Sequence, residues 1–174
     1  YKKEVPMREL LLGVDIGTSA CKIAVFAKDG TVKATGTGDY QVYYPHPGWA
    51  EQNPEEWWRA VCQAVKKVIE KAGIQPEEIA GIGIDGQSWS AIAMDKDGNV
   101  LTNSPIWMDT RAQSICDRLN EEIGADQIFE VSGNSLQPSY TTAKILWYKE
   151  NLPEVYEKID KILQSNSYIA YKLT

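Results

Sequence analysis

From Leu10 onward the chain alternates short apolar runs with tight polar turns. Leu10-Leu11-Leu12-Gly13-Val14-Asp15 reads as a buried strand that ends on a carboxylate. A Gly17-Thr18-Ser19 turn follows, then a second strand from Cys21 to Ala27. Lys28-Asp29-Gly30 has hairpin chemistry and leads into a third strand near Thr31 to Tyr40. Three strands joined by short turns predict an antiparallel meander. The proline- and aromatic-rich stretch from Tyr43 to Gln52 predicts an ordered loop. Asn53-Pro54-Glu55-Glu56 then supplies a cap, a proline suited to the first helical position and the acidic end of a capping box. Apolar residues recur at Trp58, Val61, Cys62, Val65, Val68, Ile69 and Ala72, the spacing of one helix face, and Gly73 ends the helix.

Ile79 to Ile84 reads as a strand arriving at Asp85-Gly86-Gln87, and Ser90 to Asp95 as another before the turn Lys96-Asp97-Gly98-Asn99. Pro105 to Asp109 is a short extended run. Asp109 is placed to cap a helix that carries Ile115, Cys116, Leu119 and Ile123 inward and stops at Gly124. Further helices are expected around Asp126 to Val131 and Thr142 to Glu150, with Asn151-Leu152-Pro153 breaking the second. Lys161 to Leu163 reads as a last strand and Asn166 to Leu173 as a last helix. A meander, a crossover helix and a returning strand predict an α/β fold in which helices flank a mixed sheet. That order fits a ribonuclease H-like fold of the actin-like ATPase superfamily.

Composition narrows the function. A chain of 174 residues, 43% hydrophobic and 24% charged, has the profile of one globular domain. A net charge of -6 and a pI near 4.9 repel phosphate backbones, which argues against nucleic acid as a partner. A single bound nucleotide stays compatible, because a nest of backbone N–H groups holds phosphates on an acidic protein. No apolar stretch approaches the ~20 residues of a membrane span. The start lacks the apolar core of a signal peptide, so residues 1–6 read as an added or processing-derived extension before a native start at Met7. Cys21, Cys62 and Cys116 show no C-x-x-C spacing, and His46 is the one histidine, so a disulfide framework and a zinc site are not expected. The expected address is the reducing cytoplasm.

Three stretches carry candidate chemistry. Asp15-Ile16-Gly17-Thr18-Ser19 ends a strand on a carboxylate and turns through glycine and hydroxyls. That arrangement suits phosphate oxygens and a magnesium ion on Asp15, or else a hairpin that needs glycine. It is not the Walker A spacing. In Asp85-Gly86-Gln87-Ser88-Trp89 an amide, a hydroxyl and an aromatic wall follow a strand end, where ligands gather in open sheets; the alternative is a turn with Trp89 in the core. In Trp107-Met108-Asp109-Thr110-Arg111 an aromatic face with Asp and Arg suits sugar hydroxyls, and an Asp helix cap with a surface Arg explains the same letters.

Taken in order, GVDIGTSACKIAVF, PHPGWAEQNPEEWW, GIGIDGQSWSAIAMDKDGNVL and PIWMDTR, followed by SYTTAKILWYKEN and IDKILQSNSYIAYKLT, resemble the N-terminal part of the FGGY carbohydrate kinases, most closely the xylulokinase branch. The resemblance covers nearly all of residues 10–174. It implies transfer of the γ-phosphate of ATP to a hydroxyl of a small sugar or polyol, such as D-xylulose. By position, Asp15 would hold Mg²⁺, with Gly17, Thr18 and Ser19 near the phosphates. Gln87, Ser88, Trp89, Trp107, Asp109 and Arg111 would face the sugar, and Asp85 would contact a sugar hydroxyl or a metal-bound water, or cap a turn. Xylulokinases typically read Gln-Met-His where this chain has Gln87-Ser88-Trp89, and glycerol kinases carry Arg-Glu at the two positions of Ser88 and Trp89. The general-base aspartate, the adenine pocket and a second domain would lie beyond Thr174. The chain alone is therefore expected not to turn over substrate, and its uncovered apolar surface to favour a homodimer. The rival classes are an actin- or chaperone-type ATPase switch, a metal-dependent nuclease and a carbohydrate-binding module.

Overall fold

Alternation along the first strands decides which side of the sheet is buried. In a computed structural model describing residues 9–174, β1 (Leu10–Ile16), β2 (Ala20–Phe26) and β3 (Val32–Asp39) form the expected meander. The readings of residues 1–6 and Met7 fall outside the described residues. Leu12, Val14 and Ile16 on β1 and Cys21, Ile23 and Val25 on β2 all point to one buried face. Helix α1 (Pro54–Ala72) is the crossover, and β5 (Ile79–Gly86) returns parallel to β1, after the two-residue β4 (Glu51–Gln52) that precedes α1. The strand order β3-β2-β1-β5 is thus antiparallel, antiparallel, then parallel, as expected for a crossover connection.

Helix α1 is rotated from the face its bulky residues predict: Val61 and Val68 are buried as expected, but Trp58, Cys62, Val65 and Ile69 are only partly so. Trp57, Ala60, Val61, Ala64 and Val68 are the buried positions. The reason lies on β3. A Cβ at Gly38 would come within 2.6 Å of the Ala60 carbonyl oxygen, and one at Gly36 within 2.6 Å of Val68 Cγ2. Two glycines on the strand and two alanines on the helix let the backbones approach closely, so the small-residue stripe is the contact face. Gly38→Ala is expected to destabilise this packing by about 1–3 kcal/mol, the usual cost of overpacking, read as a lower urea midpoint with an unchanged m-value.

The described residues divide into two compact units. The sheet unit comprises those up to Gln41 with Glu55–Gly86 and Ile169–Thr174; the second comprises Val42–Pro54 and Gln87–Tyr168. In the second unit β6 (Ile92–Met94) pairs with β8 (Lys161–Leu163), and β4 pairs with β7 (Ser104–Pro105), as two separate antiparallel ladders. Around them stand α2 (Gln113–Glu122), α3 (Ala125–Ser132), α4 (Thr141–Asn151) and the short α5 (Pro153–Tyr156). The last helix, α6 (Ser165–Leu173), follows β8. The core of the second unit gathers Ala91, Ala93, Ile115, Cys116, Ala143, Trp147 and Tyr148. No helix among the described residues is long and apolar enough to cross a membrane.

Candidate functional site

Two groups of candidate residues lie in this chain, one in each unit. In the sheet unit the face of β1 and β5 that α1 leaves open is nearly side-chain-free at its floor. Gly13 is the register partner of Gly83, and Asp15 that of Asp85. Partners in a parallel ladder share a face, so the two carboxylates stand side by side near the C-terminal ends of both strands. They belong to a depression of about 920 Å³ that Lys22, Phe26 and Thr37 also line. Asp15 is half-exposed, 3.9 Å from the ammonium of Lys22. Asp85 accepts the N–H of Gly86 at 2.8 Å. Gly17 donates its N–H to the carbonyl of Ala20 at 3.2 Å and accepts the Tyr40 hydroxyl at 2.5 Å. The expected nest therefore loses one donor, since the Gly17 amide closes its own turn, while Ser19 stands exposed at the bend and Thr18 is half-buried.

The second group is set by buried polar contacts. Trp89 is the single non-glycine residue with positive φ among the described residues, at 63°, a conformation that L side chains seldom adopt. Its ring is 41% exposed and tilts against Tyr140, with centroids 4.9 Å apart. Trp107 is 43% exposed. The backbones beside them are neighbours, because one ammonium, that of Lys144, donates to both the Trp89 and the Ile106 carbonyls at 2.7 Å each. Gln87 donates its amide to Gln52 Oε1 at 2.6 Å, and its buried Oε1 accepts no hydrogen bond among the described residues. Ser88 is exposed. Ser88, Trp89 and Trp107 thus present a hydroxyl and two aromatic faces, while the Gln87 amide oxygen is buried.

One reading of Asp109 and Arg111 is corrected. Expected to face a sugar, or else to serve as a helix cap and a surface side chain, they are buried against each other, so the surface reading of Arg111 is the one that fails. Asp109 is fully buried: Oδ1 accepts Arg111 Nε at 2.9 Å and the Arg111 N–H at 3.0 Å, and Oδ2 accepts Arg111 Nη2 at 2.8 Å and the Ala50 N–H at 2.7 Å. Its acceptor sites are filled, and α2 begins four residues later, capped at Ala112 with no side-chain bond. The guanidinium of Arg111 also reaches Glu51 at 2.9 Å and lies over the Trp49 ring, 3.9 Å from its centroid. Burial pulls the Arg111 pKa down, but the hydrogen bonds and charge of Asp109, then those of Glu51, outweigh it and hold the pKa above its ordinary value. These two residues bolt the Tyr43–Gln52 loop to the Ile106–Arg111 turn. Gly48 completes that bolt in a left-handed conformation (φ 79°), its carbonyl accepting Thr110 N–H and hydroxyl at 2.8 and 3.0 Å.

Two residues of the group went unread in the sequence, Tyr140 and Lys144. Lys144 is fully buried, and burial pushes its pKa down to about 7, with Asp109 raising it and Arg111 lowering it. The unfolded chain therefore holds one more proton than the folded chain between about pH 7 and the ordinary lysine value of 10.5. Stability rises with pH across that window. Lys144→Met is expected to flatten this rise, measured as the difference in urea midpoint between pH 7 and pH 9 in the variant and the parent.

Comparison with known proteins places this geometry. Residues 10–174 match the model of the FGGY family of carbohydrate kinases, N-terminal domain. The xylulose kinase of Escherichia coli (strain K12) is 32% identical over 165 residues, 95% of this chain and 33% of that protein. The glycerol kinase of Thermococcus kodakarensis is 31% identical over 172 residues, 97% of this chain and 34% of that protein. The crystal structure of gluconate kinase from Lactobacillus acidophilus superposes with a TM-score of 0.86 at 29% identity, over 94% of this chain and 33% of that one. The chain spans about a third of the length of the relatives it matches.

Proposed function

Because this chain belongs to the FGGY family of carbohydrate kinases, we propose that the protein carrying it transfers the γ-phosphate of ATP to a hydroxyl of a small sugar or polyol, with a ketopentose such as D-xylulose the foremost candidate. The observation that carries this reading is the second group: two exposed tryptophans on adjoining backbone, with the exposed Ser88 hydroxyl between Gln87 and Trp89. A sugar has apolar C–H faces and a ring of hydroxyls, so it suits stacking walls with a hydroxyl beside them. Trp89 stands where xylulokinases typically have histidine, which makes the wall flatter and less polar and leaves the choice of sugar to experiment.

The sheet unit supports the nucleotide side. Among the described residues no group of three or more His, Cys, Asp or Glu side chains gathers around a metal position. A magnesium ion that arrives on nucleotide phosphates needs only one or two carboxylates and keeps its other ligands from phosphate and water. Asp15, with Asp85 beside it on the neighbouring strand, fits that requirement. When bound, the ion would neutralise charge on the transferring phosphoryl group. Asp15 would hold it, and the hydroxyls of Thr18 and Ser19 with the turn at Gly17 would border the phosphates.

The test is ADP release by the intact protein with ATP and Mg²⁺ over D-xylulose, L-xylulose, L-ribulose, gluconate, glycerol and erythritol. Selective stimulation by one compound is expected. Nucleotide turnover that none of them changes would move the reading to an ATPase switch.

A further inference from the structure

A fully buried lysine is costly unless its donors are met, and Lys144 lies at the centre of a pattern that uses it. Thr141, Lys144 and Tyr148 follow the three- and four-residue spacing of a single helix face. Their side chains reach three consecutive carbonyls. The Thr141 hydroxyl donates to Ser90 at 3.3 Å, the Lys144 ammonium to Trp89 at 2.7 Å, and the Tyr148 hydroxyl to Ala91 at 2.8 Å. From the other side, the Trp89 N–H donates to Gln164 Oε1 at 3.2 Å. The segment so gripped contains the one residue held at φ 63°. Lys144 also bonds a second segment, at the Ile106 carbonyl directly before Trp107.

We propose that this face of α4 is a three-point clamp, and that Lys144 is a positioning residue that fixes Trp89 and Trp107 for substrate. This rests on the sugar-facing role of the two tryptophans argued above. The backbone strain at Trp89 persists because neighbouring groups over-determine it, and the ammonium ties the Trp89 carbonyl to the Ile106 carbonyl that precedes Trp107. Arginine does not replace it. A planar guanidinium directs its donors in a fork, whereas the two carbonyls converge on one nitrogen.

The experiment uses the intact protein and the compound that stimulates it most. Lys144→Met, which keeps length and loses the donors, is expected to raise the KM for that compound at least tenfold and leave the KM for ATP within twofold. Lys144→Arg is expected to recover less than half of the loss. In a Trp89→Ala background the further effect of Lys144→Met should fall below threefold, since the residue it positions is gone. Thr141→Val, which removes one point of the clamp with little change in shape, carries the same test if Lys144→Met does not fold. It is expected to raise the KM for the sugar two- to fivefold, and not to do so when Trp89 is alanine. Equal increases in both KM values, or an undiminished effect in the Trp89→Ala background, would overturn the clamp while leaving sugar phosphorylation standing. An unmutated protein that no sugar stimulates would overturn both.

Discussion

Arg111→Met is expected to destabilise the protein by about 3–5 kcal/mol, the range for breaking a buried ion pair from one side. The guanidinium is 3% exposed and holds two carboxylates, Asp109 at 0% and Glu51 at 13%. Removing it leaves the buried Asp109 carboxylate with two backbone N–H donors and the more distant charge of Lys144. The stacking on Trp49, and on Trp147 with its ring centre 4.9 Å away, is lost as well. Changing both partners, Asp109→Leu with Arg111→Met, is expected to recover part of the loss but not all of it, because the Ala50 N–H is then left without its acceptor. Denaturant unfolding of the three proteins checks this. A single variant as stable as the parent would show that the pair contributes nothing.

Trp57→Ala is expected to cost about 3–5 kcal/mol as a large-to-small change in a core, and its effect should reach the nucleotide side. Trp57 is fully buried under the sheet and meets the edge of Tyr40, with ring centroids 6.4 Å apart. The Tyr40 hydroxyl in turn donates to the Gly17 carbonyl in the candidate phosphate turn. Burial holds the Tyr40 pKa far above its ordinary value, so the phenol stays protonated and able to donate. The cavity left by Trp57→Ala frees Tyr40 to move, and the KM for ATP is expected to rise at least threefold. Trp57→Phe should cost much less, because the indole Nε1 it removes has no partner among the described residues. A variant that loses stability with an unchanged KM for ATP would sever the link from core to turn.

Much of the fold was legible because periodicity and turn chemistry agree. The meander, the proline-capped helix and the strand returning to Asp85 all lie within a residue or two of their expected bounds. The inward face of α1 was legible only in part, at Val61 and Val68, because Trp58, Val65 and Ile69 outweigh Ala60 and Ala64 in any count of hydrophobicity, and the deciding partners, Gly36 and Gly38, lie on a separate strand. The expected strand from Ser90 to Asp95 shortens to Ile92–Met94 because its first carbonyls are taken by side chains of α4 instead of a ladder. Asp109 and Arg111 look alike as site residues and as scaffold. Only the Ala50 N–H and the Glu51 carboxylate, about 60 residues away in the chain, separate the two. The clamp did leave a signal, the Thr141-x-x-Lys144-x-x-x-Tyr148 spacing, but polar residues on a helix face read as solvent-exposed until the carbonyls they reach are known.

The central claim is that nucleotide and sugar are handled by separate residue sets, one in each unit of this chain. The most direct measurement is a crossed pair of KM values in the intact protein carrying either Asp15→Asn or Trp89→Ala. Asp15→Asn is expected to raise the KM for MgATP, or the magnesium requirement, at least tenfold with the sugar KM within threefold. Trp89→Ala is expected to do the reverse. A Trp89→Ala protein with an unchanged sugar KM, or an Asp15→Asn protein impaired only toward the sugar, would contradict that assignment.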